Sequence, residues 1–136
     1  MGEQATPEIE ALMAAFYTAF DNRGSRRPAA EDLKGMLAEA ATITRVAPDK
    51  VETWTPEAFI SPRVEMLTDG TLTDFHEWET EAQTVVLENI ACRRSTYGKA
   101  GKLNGADYQG GGHKFIQFHR TEGRWLISSI LWEDTT

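Results

Sequence analysis

One cysteine, three histidines and fourteen basic residues against twenty-one acidic ones set the first limits on this 136-residue chain. Cys92, alone, cannot form an intrachain disulfide and gives no sign of an oxidising compartment, so a cytoplasmic location is expected by default. Mid-strand, it is expected to be a buried, inert thiol. A net charge of −7 and a pI near 4.9 repel phosphate backbones and argue against nucleic acid as a partner. No apolar run approaches membrane-spanning length and no charged-then-apolar leader is seen, so neither a membrane partner nor a signal peptide is expected. His76, His113 and His119 are far apart and lack a His-x-x-x-His spacing, so no metal and no cofactor are expected. The stretch 98–112 holds six of the 11 glycines but has no Gly-Lys-Ser/Thr ending, which predicts a flexible hairpin loop and not a phosphate loop. No repeat or linker divides the chain, so one domain over residues 1–136 is expected.

What is present is a strong C-terminal hairpin. HKFIQFHR and RWLISSILWE flank a turn at Glu122-Gly123, which can supply the positive φ that short connections need. Both parities of these strands carry bulky apolar groups: Phe115, Trp125, Ile127 and Leu131 on one, Ile116, Phe118, Leu126, Ile130 and Trp132 on the other. Both faces therefore need cover, by helices on one side and by a terminal segment or a second subunit on the other.

Upstream, Thr6-Pro7-Glu8 predicts a helix start, followed by the stripe Ile9, Leu12, Met13, Phe16, Tyr17 and Phe20. Residues 29–37 predict a short second helix and residues 41–46 a strand. Thr55-Pro56-Glu57 predicts a third helix that kinks or restarts at Pro62 and stops at Asp69-Gly70. Residues 72–87 predict a long strand, a tight turn at Glu88-Asn89 with Asn in the left-handed region, and a return strand over 90–97. In the long strand, three glutamates at period two (Glu77, Glu79, Glu81) read as a solvated face or as a strand protected against edge pairing. That places Asp74, His76 and Trp78 toward the interior.

The order of elements, with FYTAFDNRG closing the first helix, EAATITRV after the second and GRWLISSILWED at the end, resembles the NTF2-like superfamily, and within it the small SnoaL-like and DUF4440-like bacterial proteins. The resemblance spans nearly the whole chain. It implies an α+β fold, with N-terminal helices packed in the concave face of a strongly curved, mostly antiparallel sheet, and a homodimer formed through the outer sheet face. It also implies that Tyr17, seven positions before Gly24, corresponds to the proton-donating Tyr of ketosteroid isomerases. Their basic Asp, in an Ala-Thr-x-x-Asp run, is replaced here by Arg45. Arginine stays protonated and suits an anionic group instead.

Three functions are compatible with these residues. The first is a cone that binds a small, partly apolar, acidic ligand through Arg45, Trp54, Phe59, Arg63, Trp78 and Trp132. The second is a cofactor-free lyase, cyclase or isomerase with His76 as base, Asp74 beside it and Tyr17 as donor. The third is a dimeric interaction module with a filled cone and no ligand.

Overall fold

In a computed structural model, described for residues 2–135 and for side chains from Thr6 onward, six strands form one sheet in the order β2-β1-β6-β5-β4-β3. Helix α1 (Gly2–Thr18) precedes two 3-10 turns (Arg23–Ser25 and Ala30–Gly35), β1 (Leu37–Val46) and β2 (Val51–Trp54). Helix α2 (Pro56–Thr68) then leads into β3 (Leu72–Val86), β4 (Ile90–Leu103), β5 (Ala106–Thr121) and β6 (Arg124–Asp134). Every pairing is antiparallel except β1 with β6, which is parallel through Ile43↔Ile130 and Arg45↔Trp132. The α+β cone implied by the resemblance is the fold observed.

Helix α1 buries the expected stripe. Ile9, Met13, Phe16, Tyr17 and Phe20 are each at most 5% exposed and pack on Ile43, Ile116, Phe118 and Ile127 of the sheet. Each such side chain contributes roughly 1.5–3 kcal/mol of burial. The helix begins earlier than Thr6-Pro7-Glu8 suggests, so Pro7 lies inside it. The second helix is only the 3-10 turn, and β1 starts at Leu37. Helix α2 is capped as expected, with the Thr55 hydroxyl accepting from the Ala58 N–H at 3.2 Å, and it passes through Pro62 without a break. Strand β2 has no counterpart among the predicted elements. Pro48-Asp49 reverses the chain instead of merely ending a strand.

The apolar two-facedness of the terminal hairpin has a local cause. Gln117 pairs with Ser129 but Phe118 pairs with Ile127, so Ser128 is an extra residue in β6. Such a bulge switches parity. Trp125 and Ile127 before it, and Ile130 and Trp132 after it, all turn to the helix side. Phe115 and Leu131 remain outside, 59% and 44% exposed. Residues 98–112 are not a loop. Strands β4 and β5 run on through them to a two-residue turn at Asn104-Gly105, with φ of 51° and 83°. That is the mirror-image turn that Asn-Gly favours between antiparallel strands. Asn89 does not adopt a positive φ; its side chain accepts from the Arg120 guanidinium at 3.1 and 3.2 Å.

Asn22 fixes how the helices meet the sheet. Its amide donates to the Leu67 and Leu72 carbonyls at 2.9 and 2.7 Å, and its oxygen accepts from the Phe75 N–H at 2.7 Å. One buried side chain thus ties the end of α1 to the end of α2 and the start of β3.

Candidate functional site

Between the two helices and the helix-facing side of the sheet lies a partly enclosed cavity of about 320 Å³. One wall is aromatic. Trp54 on β2 stacks on Trp132 on β6 with centroids 5.8 Å apart, and Phe59 on α2 meets Trp132 edge-on at 5.8 Å. Phe16, Phe20, Phe75 and Tyr108 add further ring surface. The opposite character comes from charge. Arg45, Arg63, Lys99 and Lys114 line the cavity, with Glu52, Glu77 and Asp134 among them. A chain of net charge −7 therefore keeps a surplus cation here.

The charges are unequally satisfied. Asp134 accepts from the Tyr97 hydroxyl, from Lys99 Nζ at 3.2 Å and from Arg45 at 3.3 Å. These donors hold its carboxyl below the usual range against the opposing effect of burial, and burial together with the Asp134 carboxylate pushes the Tyr97 hydroxyl far up. Arg45 is thus engaged by the protein itself. Arg63 makes one hydrogen bond, to the Phe59 carbonyl at 3.0 Å, and has no carboxylate partner among the described residues. Its guanidinium lies 3.8 Å from the Phe59 ring centroid and 5.8 Å from those of Trp54 and Trp132. Burial brings its pKa down to about 10. Lys114 is 6% exposed and has neither ion pair nor hydrogen bond among the described residues; its ammonium sits 3.4 Å from the Tyr97 ring centroid. Burial brings its pKa down to about 8. Isolated buried charges are costly to keep.

Of the side chains expected to bind a ligand, Arg45, Trp54, Phe59, Arg63 and Trp132 converge on this cavity, and Trp78 does not. Strand β3 has the reverse parity to the one expected. Phe75 is buried and Glu77 lines the cavity, while Trp78 is 40% exposed and stacks on His76 at 4.6 Å. Register shifts between Thr73 and His76 and between Glu79 and Glu81 switch the parity over this stretch. Glu79 receives Arg93 Nε and Nη2 at 3.1 and 2.6 Å and the Ser95 hydroxyl at 2.5 Å, so Glu77 and Glu79 face inward, while Glu81, beyond the second shift, is exposed as expected.

The expected triad of His76, Asp74 and Tyr17 is not assembled. His76 is half-buried beside Trp78 and absent from the cavity lining. Asp74, with φ of 48°, accepts from the Gly24 N–H at 2.9 Å. The Tyr17 hydroxyl is 2.7 Å from the Ser95 hydroxyl, and burial raises its pKa beyond any working pH. Cys92 is exposed, not buried. Glu77, Lys99, Lys114, Tyr97 and Asp134 were not among the sequence candidates. Alternation along β4 and β5 would have placed Tyr97, Lys99 and Lys114 on the inner face, had 98–112 been read as strand.

Among the described residues, no helix is long and apolar enough to cross a membrane. No protein-family model matches the chain, and no curated protein matches it. Solved structures do. A type 2 hexachlorocyclohexane dehydrochlorinase (LinA) superposes with a TM-score of 0.79 at 13% identity, over 98% of this chain and 86% of that one. The Kfla4162 protein from Kribbella flavida gives 0.78 at 15% identity, over 100% and 94%. A Nostoc punctiforme protein of unknown function with a cystatin-like fold gives 0.68 at 16% identity, over 96% and 90%. Likeness at these identities establishes the cystatin-like, NTF2-like fold; the chemistry has to come from the cavity.

Proposed function

We propose that the cone cavity binds a small, partly apolar molecule bearing a carboxylate or similar anion. The observation that carries this reading is the pair of cations, Arg63 and Lys114, that face one cavity with no acidic hydrogen-bond partner among the described residues. A bound anion would supply the missing acceptors, and the Trp54, Phe59 and Trp132 rings would receive the apolar body. Calorimetry with benzoate and its neutral shape-match benzamide tests it. Benzoate should bind and benzamide should bind at least tenfold more weakly, about 1.4 kcal/mol. Arg63→Leu should erase that preference. Equal binding of the two, or no binding of either, sinks the reading.

A second reading has a specific observation behind it. Glu77 lines the cavity without an ion pair or hydrogen bond among the described residues. A cofactor-free elimination or isomerisation would use it as the base, the role expected of His76. A hexachlorocyclohexane dehydrochlorinase shares this fold. Glu77→Gln should abolish any turnover found, and His76→Gln should leave it unchanged.

Within the fold, membership of the SnoaL-like and DUF4440-like group is proposed on the FYTAFDNRG, EAATITRV and GRWLISSILWED segments. It is proposed to form a homodimer through the outer sheet face, where Val85, Leu87, Ile90, Phe115 and Leu131 are each at least 44% exposed.

A further inference from the structure

We infer that Lys114 is a nucleophile: its Nζ forms a Schiff base with a carbonyl compound that also carries an anionic group. The inference rests on the cavity reading above and goes beyond it, from binding to a covalent step.

The contrast with Lys99 carries the argument. Both lysines line the same cavity from adjacent strands. Lys99 has an ordinary structural environment, donating to Asp134 at 3.2 Å. Lys114 is more deeply buried yet has no acceptor among the described residues. Three ring faces lie near its nitrogen: Tyr97 at 3.4 Å, Tyr17 at 5.0 Å and Phe16 at 5.9 Å from the centroids. A lysine kept for stability would be paired; one buried beside a cavity with no acceptor has its lone pair available once it is deprotonated.

The charged and titratable groups around it come from every packed element: Tyr17 on α1, Arg63 on α2, Glu77 on β3, Tyr97 and Lys99 on β4, and Asp134 on β6. Burial lowers the ammonium pKa most. Glu77 opposes it, Lys99 adds to it, Asp134 opposes it and Arg63 adds to it, leaving about 8. Relative to an ordinary lysine this raises the neutral amine at pH 7 roughly 300-fold.

In the step, the ammonium first gives a proton to water in the partly enclosed cavity. The lone pair then forms the C–N bond as the carbonyl π pair moves to oxygen, which takes a proton. Loss of that oxygen as water, with departure of the remaining N–H proton, leaves the imine. One amine and one carbonyl give one imine and one water.

The probe is 4-formylbenzoate with sodium cyanoborohydride, whose hydride reduces the imine carbon to a permanent secondary amine that peptide mass mapping locates. The exposed Lys34, Lys50 and Lys102 serve as references in the same chain. Lys114 should be modified at least tenfold faster than any of them, with a pH midpoint near 8. Arg63→Leu should slow its reaction with 4-formylbenzoate but not with benzaldehyde. Modification of Lys114 no faster than the exposed lysines overturns the inference. If benzoate binds while Lys114 stays unreactive, the Schiff base falls and the cavity reading stands. If Lys114 reacts fast but benzoate neither binds nor protects it, the anion reading falls and the reactive amine stands.

Discussion

Arg93 on β4 grips Glu10 on α1 through two hydrogen bonds of 2.7 and 3.0 Å, and it does so while holding Glu79 and the Thr84 hydroxyl with the same guanidinium. The arginine is 2% exposed, and its three partners come from α1 and β3. It joins the first helix to the inner face of the sheet. Glu10 in turn is held below its usual carboxyl pKa, chiefly by its hydrogen bond to Arg93.

Arg93→Met should therefore be among the most damaging surface-distant substitutions. It leaves Glu79 without its counter-charge, and breaking a buried pair in this way costs about 3 kcal/mol or more. Glu10→Gln touches the exposed arm of the same network and should cost less than about 1 kcal/mol. Urea midpoints of the two variants check the contrast. Similar losses would mean that Glu10, not Glu79, carries the network.

Lys114→Met should stabilise the protein near neutrality, because it removes a desolvated charge that has no partner. The sign with pH follows from its lowered pKa. Between about 8 and the ordinary lysine value the unfolded chain binds more protons than the folded one, so the wild type gains stability as pH rises through this window. The advantage of Lys114→Met, about 3 kcal/mol at pH 7 from the size of the shift, should shrink toward pH 10. Urea titrations at pH 7, 8, 9 and 9.5 read this directly; a constant difference would contradict it.

Gly112→Ala should destabilise by about 2 kcal/mol or more. A Cβ there would stand 2.1 Å from the Glu133 carbonyl oxygen and 2.8 Å from the Tyr97 hydroxyl, and backbone cannot yield as a side chain can. Gly35→Ala is the control, since nothing lies within 4 Å of its Cβ position. Thermal melts of both variants separate crowding from a general intolerance of glycine loss.

Phe115→Asp should convert the proposed dimer to a monomer without loss of fold, because Phe115 sits on the outer sheet face at 59% exposure. Sedimentation velocity at micromolar concentration is the measurement. A wild type that is already monomeric there would remove the dimer from consideration.

The fold was legible because its strongest signals are local. The α1 stripe, the Thr55 cap and the Glu122-Gly123 turn each act over a few residues, and each stands where expected. The cavity was half legible: aromatic and basic residues on β1, β2, α2 and β6 were identified, while those on β3, β4 and β5 were not. Two physical facts explain the misses. Glycine weakens the strand pattern, and here Gly98 and the run at 110–112 lie within paired strands. At Gly98 the missing Cβ leaves space for the Trp78 ring, which would come within 2.6 Å of it. And Glu77 and Glu79 look solvated until the fold brings the cations Lys114 and Arg93 to the same face. The Ser128 bulge was hidden for a similar reason, since an extra residue shows only against its partner strand.

The parallel pairing of β1 with β6 has a consequence for the order of events during folding. Strands β3 to β6 can form as successive hairpins, each closing a short loop. Residues 37–54 can pair with one another as a hairpin but have no link to the rest of the sheet until residues 124–134 exist. On a ribosome the first sheet-forming segment made is thus the last to dock, and loop closure over that separation makes the step slow. Arg45, Glu52 and Trp54 join the cavity with that step, so the site is completed only when the C-terminal strand has been synthesised and has captured the first.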